Sequence, residues 1–427
     1  MLDIELFRTN LEKVIESEKK RFKDPSNAEK VLDYDKKWRE ILSKIQDLRK
    51  KRNEISAKIG EYKKTGESKK VEEAVKASKE IRKEIEKLEK QKSEYFEERE
   101  KYRYLVGNIL HESVPVAETE DGKEIVRSVG NIPKFEFKPL NHVELIETID
   151  GADTKKASEV VGSRFYYLKG DLVLLNLALM KFALDFLQSI GFIPIWTPFF
   201  IKHEVIKAAA ELADFKEQLY KVQDEDLFMI ATSEQSIAAY HYDEIIDTKR
   251  LPIKYAGVSS CFRREAGSHG KDTLGIFRVH QFEKIEQYIF CKPENSWKFH
   301  EKLLENAEEI YKKLEIPYRI VNIASGELND NAAKKYDLEA WWPASQTYRE
   351  VVSCSNCLDY QARKLKIRMG KVGSEEKQIL HTLNSTAIAT ERTICCILEN
   401  FQNEDHSIRV PKVLQKIIGK EVINSIK

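Results

Sequence analysis

The chain has 427 residues, 41% of them hydrophobic and 33% charged, and its 72 lysines and arginines almost balance its 71 aspartates and glutamates. That length predicts two domains rather than one, and the near-neutral sum excludes a nucleic-acid partner announced by global charge, leaving only local basic patches. The charged amino-terminal stretch MLDIELFRTNLEKVIESEKK excludes a secretory signal, no run is read as long enough to span a membrane, and six cysteines fit a reducing compartment, so the expectation is a cytoplasmic chain with free thiols and no membrane partner.

Residues 2–20 predict one amphipathic helix with Leu2, Ile4, Leu6, Phe7, Leu11, Val14 and Ile15 as its apolar set. Asp24-Pro25-Ser26-Asn27 ends that helix and offers a cap for the next. From Trp38 a seam runs through Ile41, Ile45, Leu48, Arg52, Ile55, Ile59 and Tyr62 in alternating steps of three and four. After a turn at Lys63–Ser68 a second seam follows from Val71 through Ala74, Ser78, Ile81, Ile85, Leu88, Lys92, Tyr95 and Arg99 to Tyr102. Two heptad helices joined by a short glycine-containing loop pack antiparallel, as an arm roughly 40 Å long at about 1.5 Å per residue. Between Lys50 and Lys90 fourteen lysines and arginines face nine glutamates, a net of +5. That excess serves either as a solvated coiled-coil surface or as a footprint for nucleic-acid phosphates. Gly107 and Pro115 mark a connector, which gives an N-terminal helical domain over 1–111 and a second domain over 112–427, its start over 113–140 read as strand and loop.

In the second domain, Asp171–Ile190 predicts a long apolar helix closed by Gly191. Phe192–Phe200 predicts an extended run that Pro194 and Pro198 confine to an edge or an interface, so this helix and strand offer either a dimer surface or internal packing. Leu227–Thr232 predicts a strand leading into a helix over Gln235–Asp243, where Glu234 is either a helix cap or half of a carboxylate pair with Glu286. Such a pair suits an ammonium group or a hydroxyl.

Ser259–Phe290 predicts an antiparallel hairpin with its loop over Ala266–Gly275, punctuated by Gly267, Gly270 and Gly275. It carries Arg263, Arg264, Glu265, Arg278, Glu283 and Glu286 on or beside half-buried strands, a pattern that calls for a phosphate-bearing ligand. Glu350-Val351-Val352-Ser353 predicts a short strand with a carboxylate and a hydroxyl, the hard oxygens that Mg²⁺ takes beside phosphates, or else an exposed strand end. Cys354 and Cys357 have the spacing of a zinc half-site, but Cys395-Cys396 is a poor second pair, so two buried thiols and no zinc are expected. His381–Thr386 turns into an apolar helix over Ala387–Phe401, whose Arg392 either snorkels or faces an anion. No GxxxxGK[ST] loop and no GxGxxG opening a helix occurs, so a nucleotide here would be held by arginines on an antiparallel sheet.

Taken together these residues make the chain resemble the seryl-tRNA synthetases, class II aminoacyl-tRNA synthetases, over nearly its whole length. Motif 1 is similar to the helix ending at Gly191 with its strand through Pro198, motif 2 to the hairpin with Phe262-Arg263-Arg264-Glu265, and motif 3 to Leu383–Glu399 around Arg392. The serine-pocket signature is similar to Thr232-Ser233-Glu234. The resemblance implies an α+β fold, an antiparallel β-sheet catalytic domain flanked by helices, with an N-terminal long antiparallel coiled-coil arm. It implies a serine–tRNA ligase that makes seryl-adenylate from L-serine and ATP with Mg²⁺ and then charges tRNA(Ser), and tRNA(Sec) where a cell has it. The arm and the motif 2 loop would meet the tRNA, and the enzyme would be a homodimer.

By the same resemblance Arg263, Arg278 and Arg392 are catalytic, gripping the phosphates and keeping ATP bent. ATP would further meet Arg264, Glu265, Val279, His280, Gln281, Phe282 and Glu350–Ser353 (with Val351 and Val352), Glu265 reading the adenine amino group and Phe282 stacking on its ring. Glu350 and Ser353 would hold Mg²⁺, while Thr232, Ser233, Glu234, Arg263, Glu286, Asn384 and Thr386 would line the serine pocket. Glu234 and Glu286 share ammonium and hydroxyl between them, the hydroxyl leaning to Glu286. Bacterial members carry glycine-serine-glycine in motif 3, whereas Asn384-Ser385-Thr386-Ala387 is similar to archaeal and eukaryotic members and moves the hydroxyl contact to Asn384 or Thr386. Related amino-acid:carrier-protein ligases share the catalytic pattern but lack the arm.

Overall fold

A computed structural model describes residues 1–209, 218–266, 274–371 and 376–426. The chain divides into two compact units, Leu2–Ile109 and Leu110–Lys427, the latter taking in Met1.

The first unit is helical. Residues 2–20 form two helices rather than the one expected, Ile4–Thr9 and Leu11–Lys20. The break falls at Asn10, whose side-chain oxygen accepts from Lys13 N at 3.3 Å and so starts the second helix by capping it. Helices Ser26–Thr65 and Ser68–Leu105 form the antiparallel arm. Gly66, at φ 73°, ends the first in the left-handed region where a side chain would be strained. Ile41, Ile45, Ile85 and Leu88 are buried against each other, with Leu48, Ile81 and Tyr95 beside them. Seam residues toward the tip, such as Ile55, Ile59 and Val71, are only half-buried, because two helices alone cannot enclose them. Arg49 bridges the two helices to Glu89 at 2.9 Å, and seam residue Lys92 pairs with the same Glu89. At the base, fully buried Asp35 gathers Arg8 (2.8 Å), Arg39 (3.0 Å) and Arg99 (3.0 Å), tying three helices to one carboxylate.

The second unit is built on an eight-stranded sheet. In chain order its strands are β1 (Glu124–Val129), β2 (Ile193–Trp196), β3 (Ile253–Phe262), β4 (Gln281–Cys291), β5 (Tyr318–Asn322), β6 (Lys334–Trp342), β7 (Thr347–Leu358) and β8 (His381–Ala389). Their spatial order is β1-β5-β6-β7-β8-β4-β3-β2, antiparallel throughout except for the edge pair β2–β3. Proline-bearing β2 does lie at the edge, where a missing N–H is tolerated. Helices Asp171–Ser189, Ser296–Lys313 and Thr390–Asn400 pack their apolar faces into the main core with the sheet.

Three boundaries differ from expectation. The return of the hairpin becomes a strand only at Gln281, and Ile276–Val279 is irregular. Strand β8 continues to Ala389 before the helix begins at Thr390, and Glu350–Ser353 sits inside the twelve-residue β7 instead of forming a short strand. Helix Asp171–Ser189 is long and apolar enough to cross a membrane by length and composition, contrary to the expectation that no run is. Its apolarity has two sources: seven side chains, from Leu172 to Leu187, are buried in the core, while Val173, Leu174 and Leu177 are exposed.

Candidate active site

One cleft of about 410 Å³ opens on the sheet, and strand periodicity decides what faces it. On β4, Phe282, Lys284 and Glu286 fall at every second position and line it together. On β8, Asn384 and Thr386 do the same, and Thr386 pairs directly across from Glu286. A bulge between Thr386 and Ile388 shifts the alternation, so Ala389, opposite Lys284, also meets the cleft. On β7 the register slips between Leu338 and Glu339, with Val352 opposite the first and Glu350 opposite the second. The extra residue, Val351, brings Glu350 and Ser353 onto one face although they are three apart.

Helix Ser233–Tyr240 delivers another wall. Thr232 is its cap, the hydroxyl accepting from Glu234 N at 3.2 Å, so Glu234 is not the cap. Its carboxylate oxygen Oε1 instead accepts from Gln361 Nε2 at 2.8 Å and Asn384 Nδ2 at 3.0 Å. The helix start lies hard against β3, where a Cβ on Gly257 would come within 2.2 Å of Ile237 and 2.9 Å of Ser233 Oγ. Gly257 is what lets Thr232 and Glu234 sit this close to the strands.

Charges fill the cleft in pairs. Arg278 Nη1 lies 3.4 Å from Glu265 Oε2, and Arg392 Nη1 donates to Glu350 O at 3.1 Å with Glu350 Oε2 at 3.8 Å. The Arg263 guanidinium lies over the Phe282 ring at 5.2 Å and that of Arg392 over Phe277 at 5.1 Å. Burial pushes the Glu286 carboxyl up from its ordinary range, with Lys284 as the strongest opposing influence. Lys284 Nζ lies 2.6 Å from Glu286 Oε2, close enough for an ion pair although the direction is off the line of a hydrogen bond. Glu350 lines the cleft with 48% of its side-chain surface exposed. Burial would raise its pKa, but Arg392, Lys335, Arg263 and Arg278 outweigh that and hold it low. Glu391 is buried and accepts from Tyr166 Oη at 2.6 Å and Glu283 N at 3.0 Å; burial and the neighbouring Glu283 push its carboxyl well up.

The cleft brings together Thr232, Glu234, Arg263, Glu265, Arg278, Val279, Phe282, Glu286, Glu350, Val351, Ser353, Asn384, Thr386 and Arg392. Five other expected residues lie off its lining. Ser233 is buried, its hydroxyl 3.4 Å from Gly257 O; Arg264 is exposed; and Val352 turns into the core. His280 holds the backbone through Nδ1, 2.8 Å from Arg263 O, and Gln281 lines a second, smaller cavity with Tyr166 and Glu283. The hairpin loop expected over Ala266–Gly275 falls mostly outside the described residues, including Gly267 and Gly270. Lys284, Phe277 and Lys335 line the cleft without having been singled out in the sequence. For Lys284 a signal existed, since it stands two residues before Glu286 on a strand and therefore shares its face.

All six cysteines are buried and free, and among the described residues no group of three histidine, cysteine, aspartate or glutamate side chains could hold a metal. For an Mg²⁺ that also takes phosphate oxygens the donor set does fit: Glu350 and Ser353 supply hard oxygens on one face. Buried Asp337, opposite Ser353 on β6, keeps an oxygen without a hydrogen-bond partner.

Residues 1–110 match the family described as the seryl-tRNA synthetase N-terminal domain, and residues 219–401 the tRNA synthetase class II core domain (G, H, P, S and T). The chain is 58% identical over 426 residues to the serine–tRNA ligase of Methanosphaera stadtmanae, covering 100% of both. It is 46% identical to the cytoplasmic serine–tRNA ligase of Arabidopsis thaliana, over 100% of this chain and 97% of that one. Among solved structures it is similar to the seryl-tRNA synthetase from Pyrococcus horikoshii complexed with ATP, with a TM-score of 0.96 and 45% identity over 100% of both chains.

Proposed function

The chain belongs to the seryl-tRNA synthetase family, and from that premise we propose how its cleft divides ATP, serine and the tRNA end among its residues. The reaction is that of a serine–tRNA ligase. The serine carboxylate attacks the α-phosphorus of ATP, the bond to the bridging oxygen of the β-phosphate breaks, and seryl-adenylate and diphosphate form. A hydroxyl of the terminal ribose of tRNA(Ser) then attacks the seryl carbonyl and AMP leaves. No side chain becomes covalently attached, so the rate rests on positioning and charge stabilisation.

The observation that carries the assignment is the convergence of Arg263, Arg278 and Arg392 with Glu234 and Glu286 in one cleft. Arg263, whose charge acts on both Glu286 and Glu350, grips the α-phosphate and the serine carboxylate as charge builds between them. Arg392 and Arg278 hold the outer phosphates, releasing Glu350 and Glu265 from their present pairing. Glu265 takes the adenine amino group and Phe282 the ring, with Arg264 and Val279–Gln281 supporting the adenine side and Glu350–Ser353 the phosphate side. Glu350 and Ser353 would hold Mg²⁺, which when bound neutralises phosphate charge. Glu234 takes the serine ammonium beside Thr232 and Ser233, its carboxylate oxygen being held in place by the amides of Gln361 and Asn384. Glu286, already neutralised by Lys284 and facing Thr386, takes the hydroxyl with Asn384 and Thr386. A site built around that hydroxyl rejects alanine, which would leave buried polar groups unpaired.

The basic arm meets the tRNA backbone by charge and shape, and the motif 2 loop meets its acceptor end. The exposed stripe of Val173, Leu174 and Leu177 with Ile193 and Trp196 supports a homodimer face, and the compartment is the cytoplasm. Serine-dependent exchange between ATP and diphosphate, followed by charging of tRNA(Ser), tests the whole assignment. Serine should support exchange far better than alanine. Exchange without charging would point to a carrier-protein ligase, and the absence of both would overturn the reading.

A further inference from the structure

Gln361 lies outside the cleft, on the short helix Tyr360–Lys364, and is 1% exposed. Its amide nitrogen reaches Glu234 at the serine pocket, while its amide oxygen is held by residues off the cleft lining. Its Oε1 accepts two hydroxyls, from Tyr288 at 2.9 Å and Thr382 at 2.9 Å. Its Nε2 donates to Glu234 Oε1 at 2.8 Å. The amide has one sensible orientation, since the reverse would set its carbonyl oxygen 2.8 Å from a carboxylate oxygen. The two hydroxyls, donating to the oxygen, hold that orientation from behind.

The same Glu234 oxygen also accepts from Asn384 Nδ2 at 3.0 Å. Tyr288, Thr382 and Asn384 come from the paired strands β4 and β8, whose register sets Thr382 beside Phe290 and Asn384 opposite Tyr288. Three elements thus fix one carboxylate: two strands aim hydroxyls and an amide, and a helix supplies Gln361. We propose that Gln361 is a positioning residue for serine recognition, locking the Glu234 carboxylate in the orientation that receives the substrate ammonium. Two amide donors on one carboxylate oxygen fix its position in the pocket.

This inference rests on the assignment of the ammonium to Glu234, and the test separates the two. Serine affinity of the full chain is measured by calorimetry, and Michaelis constants for serine and ATP in the exchange reaction, for Gln361→Met, Thr382→Val and Glu234→Gln. Loss of a hydrogen bond to a charged group corresponds to roughly 10- to 100-fold. Gln361→Met should therefore weaken serine by that factor while the Michaelis constant for ATP stays within about twofold. Thr382→Val, which removes one of the two hydroxyls, should weaken serine in the same direction by less. If Glu234→Gln weakens serine and Gln361→Met does not, or if Gln361→Met raises both Michaelis constants equally, the positioning role is wrong. If Glu234→Gln leaves serine binding intact, the ammonium assignment fails and the inference falls with it. Should Gln361→Met not fold, an unchanged serine affinity in Thr382→Val overturns the proposal on its own.

Discussion

Arg392 and Glu350 show how single side chains are poised for the reaction. The guanidinium rests on Glu350, 3.1 Å from its carbonyl oxygen, and can exchange that partner for a phosphate at little cost because half of the Glu350 side chain already faces open space. Replacing Arg392 by Ala should lower the turnover of exchange by about 10²–10³, the range for removing one preorganised charge-stabilising donor, with little change in thermal midpoint. A loss below tenfold would show that the phosphates lie elsewhere. A second residue-scale prediction concerns stability. Burial holds the His300 imidazole at a pKa of about 4, its Nε2 lying 3.1 Å from Cys354 O and its Nδ1 unpartnered. Below the ordinary histidine pKa the unfolded chain takes up this proton while the folded chain does not. Stability should therefore fall as pH drops from about 6.5 to about 4, by roughly 3 kcal/mol from this group, and flatten below. Unfolding of His300→Gln across that window should show a shallower fall; an unchanged slope would remove His300 from the account. Of the residues in the cleft, those with a strong local pattern, such as Arg263, Glu265 and Arg392, were legible in the sequence. Gln361 was not, because nothing local announces a glutamine whose partners stand 21, 73 and 127 positions away.

At the scale of elements, two bulges and one glycine do what the pattern of residue types does not reveal. Without the bulge at Val351, plain alternation along β7 would turn Glu350 away from Ser353. Without the slip after Thr386, the end of β8 would present a different side chain to Lys284. Bulges leave no reliable trace in a single sequence, which is why β8 was expected to end before Ala387 and Glu350 was expected on a short strand. The arm is the opposite case: its seam was legible from Trp38 onward because a heptad is a purely local code, and its turn was marked by Gly66, although Tyr34, which stacks on Tyr102, was not read as part of it. The break at Asn10 was missed since asparagine fits both an exposed helix position and a cap. The arm should be separable from the chemistry. Replacing residues 50–90 by a short turn should leave exchange within about threefold and lower charging by at least 10²-fold, the scale of losing several phosphate contacts. Charging that survives the deletion would mean the arm does not grip tRNA.

At the scale of the molecule, the helical unit and the sheet unit have their own cores, and each matches a family model of its own. The sheet unit carries an unusually apolar helix because one face fills the core while Val173, Leu174 and Leu177 stay uncovered, a stripe continued by Ile193 and Trp196 on the edge strand. If that stripe is the dimer face, Leu177→Asp should sediment as a monomer at concentrations where the unaltered chain is dimeric, and a dimer unaffected by the change would place the interface elsewhere. The central claim is that one cleft holds adenylate and serine in a fixed order, with Arg263 at their junction and the two carboxylates serving different ends of the amino acid. The most direct measurement is a crystal structure with a non-hydrolysable seryl-adenylate analogue. The account predicts the ammonium on Glu234 and Thr232, the hydroxyl on Glu286, the phosphate mimic on Arg263 and the adenine on Phe282 beside Glu265. An analogue bound with its ammonium on Glu286 and its hydroxyl on Glu234, or with its amino-acid end outside this pocket, would contradict it.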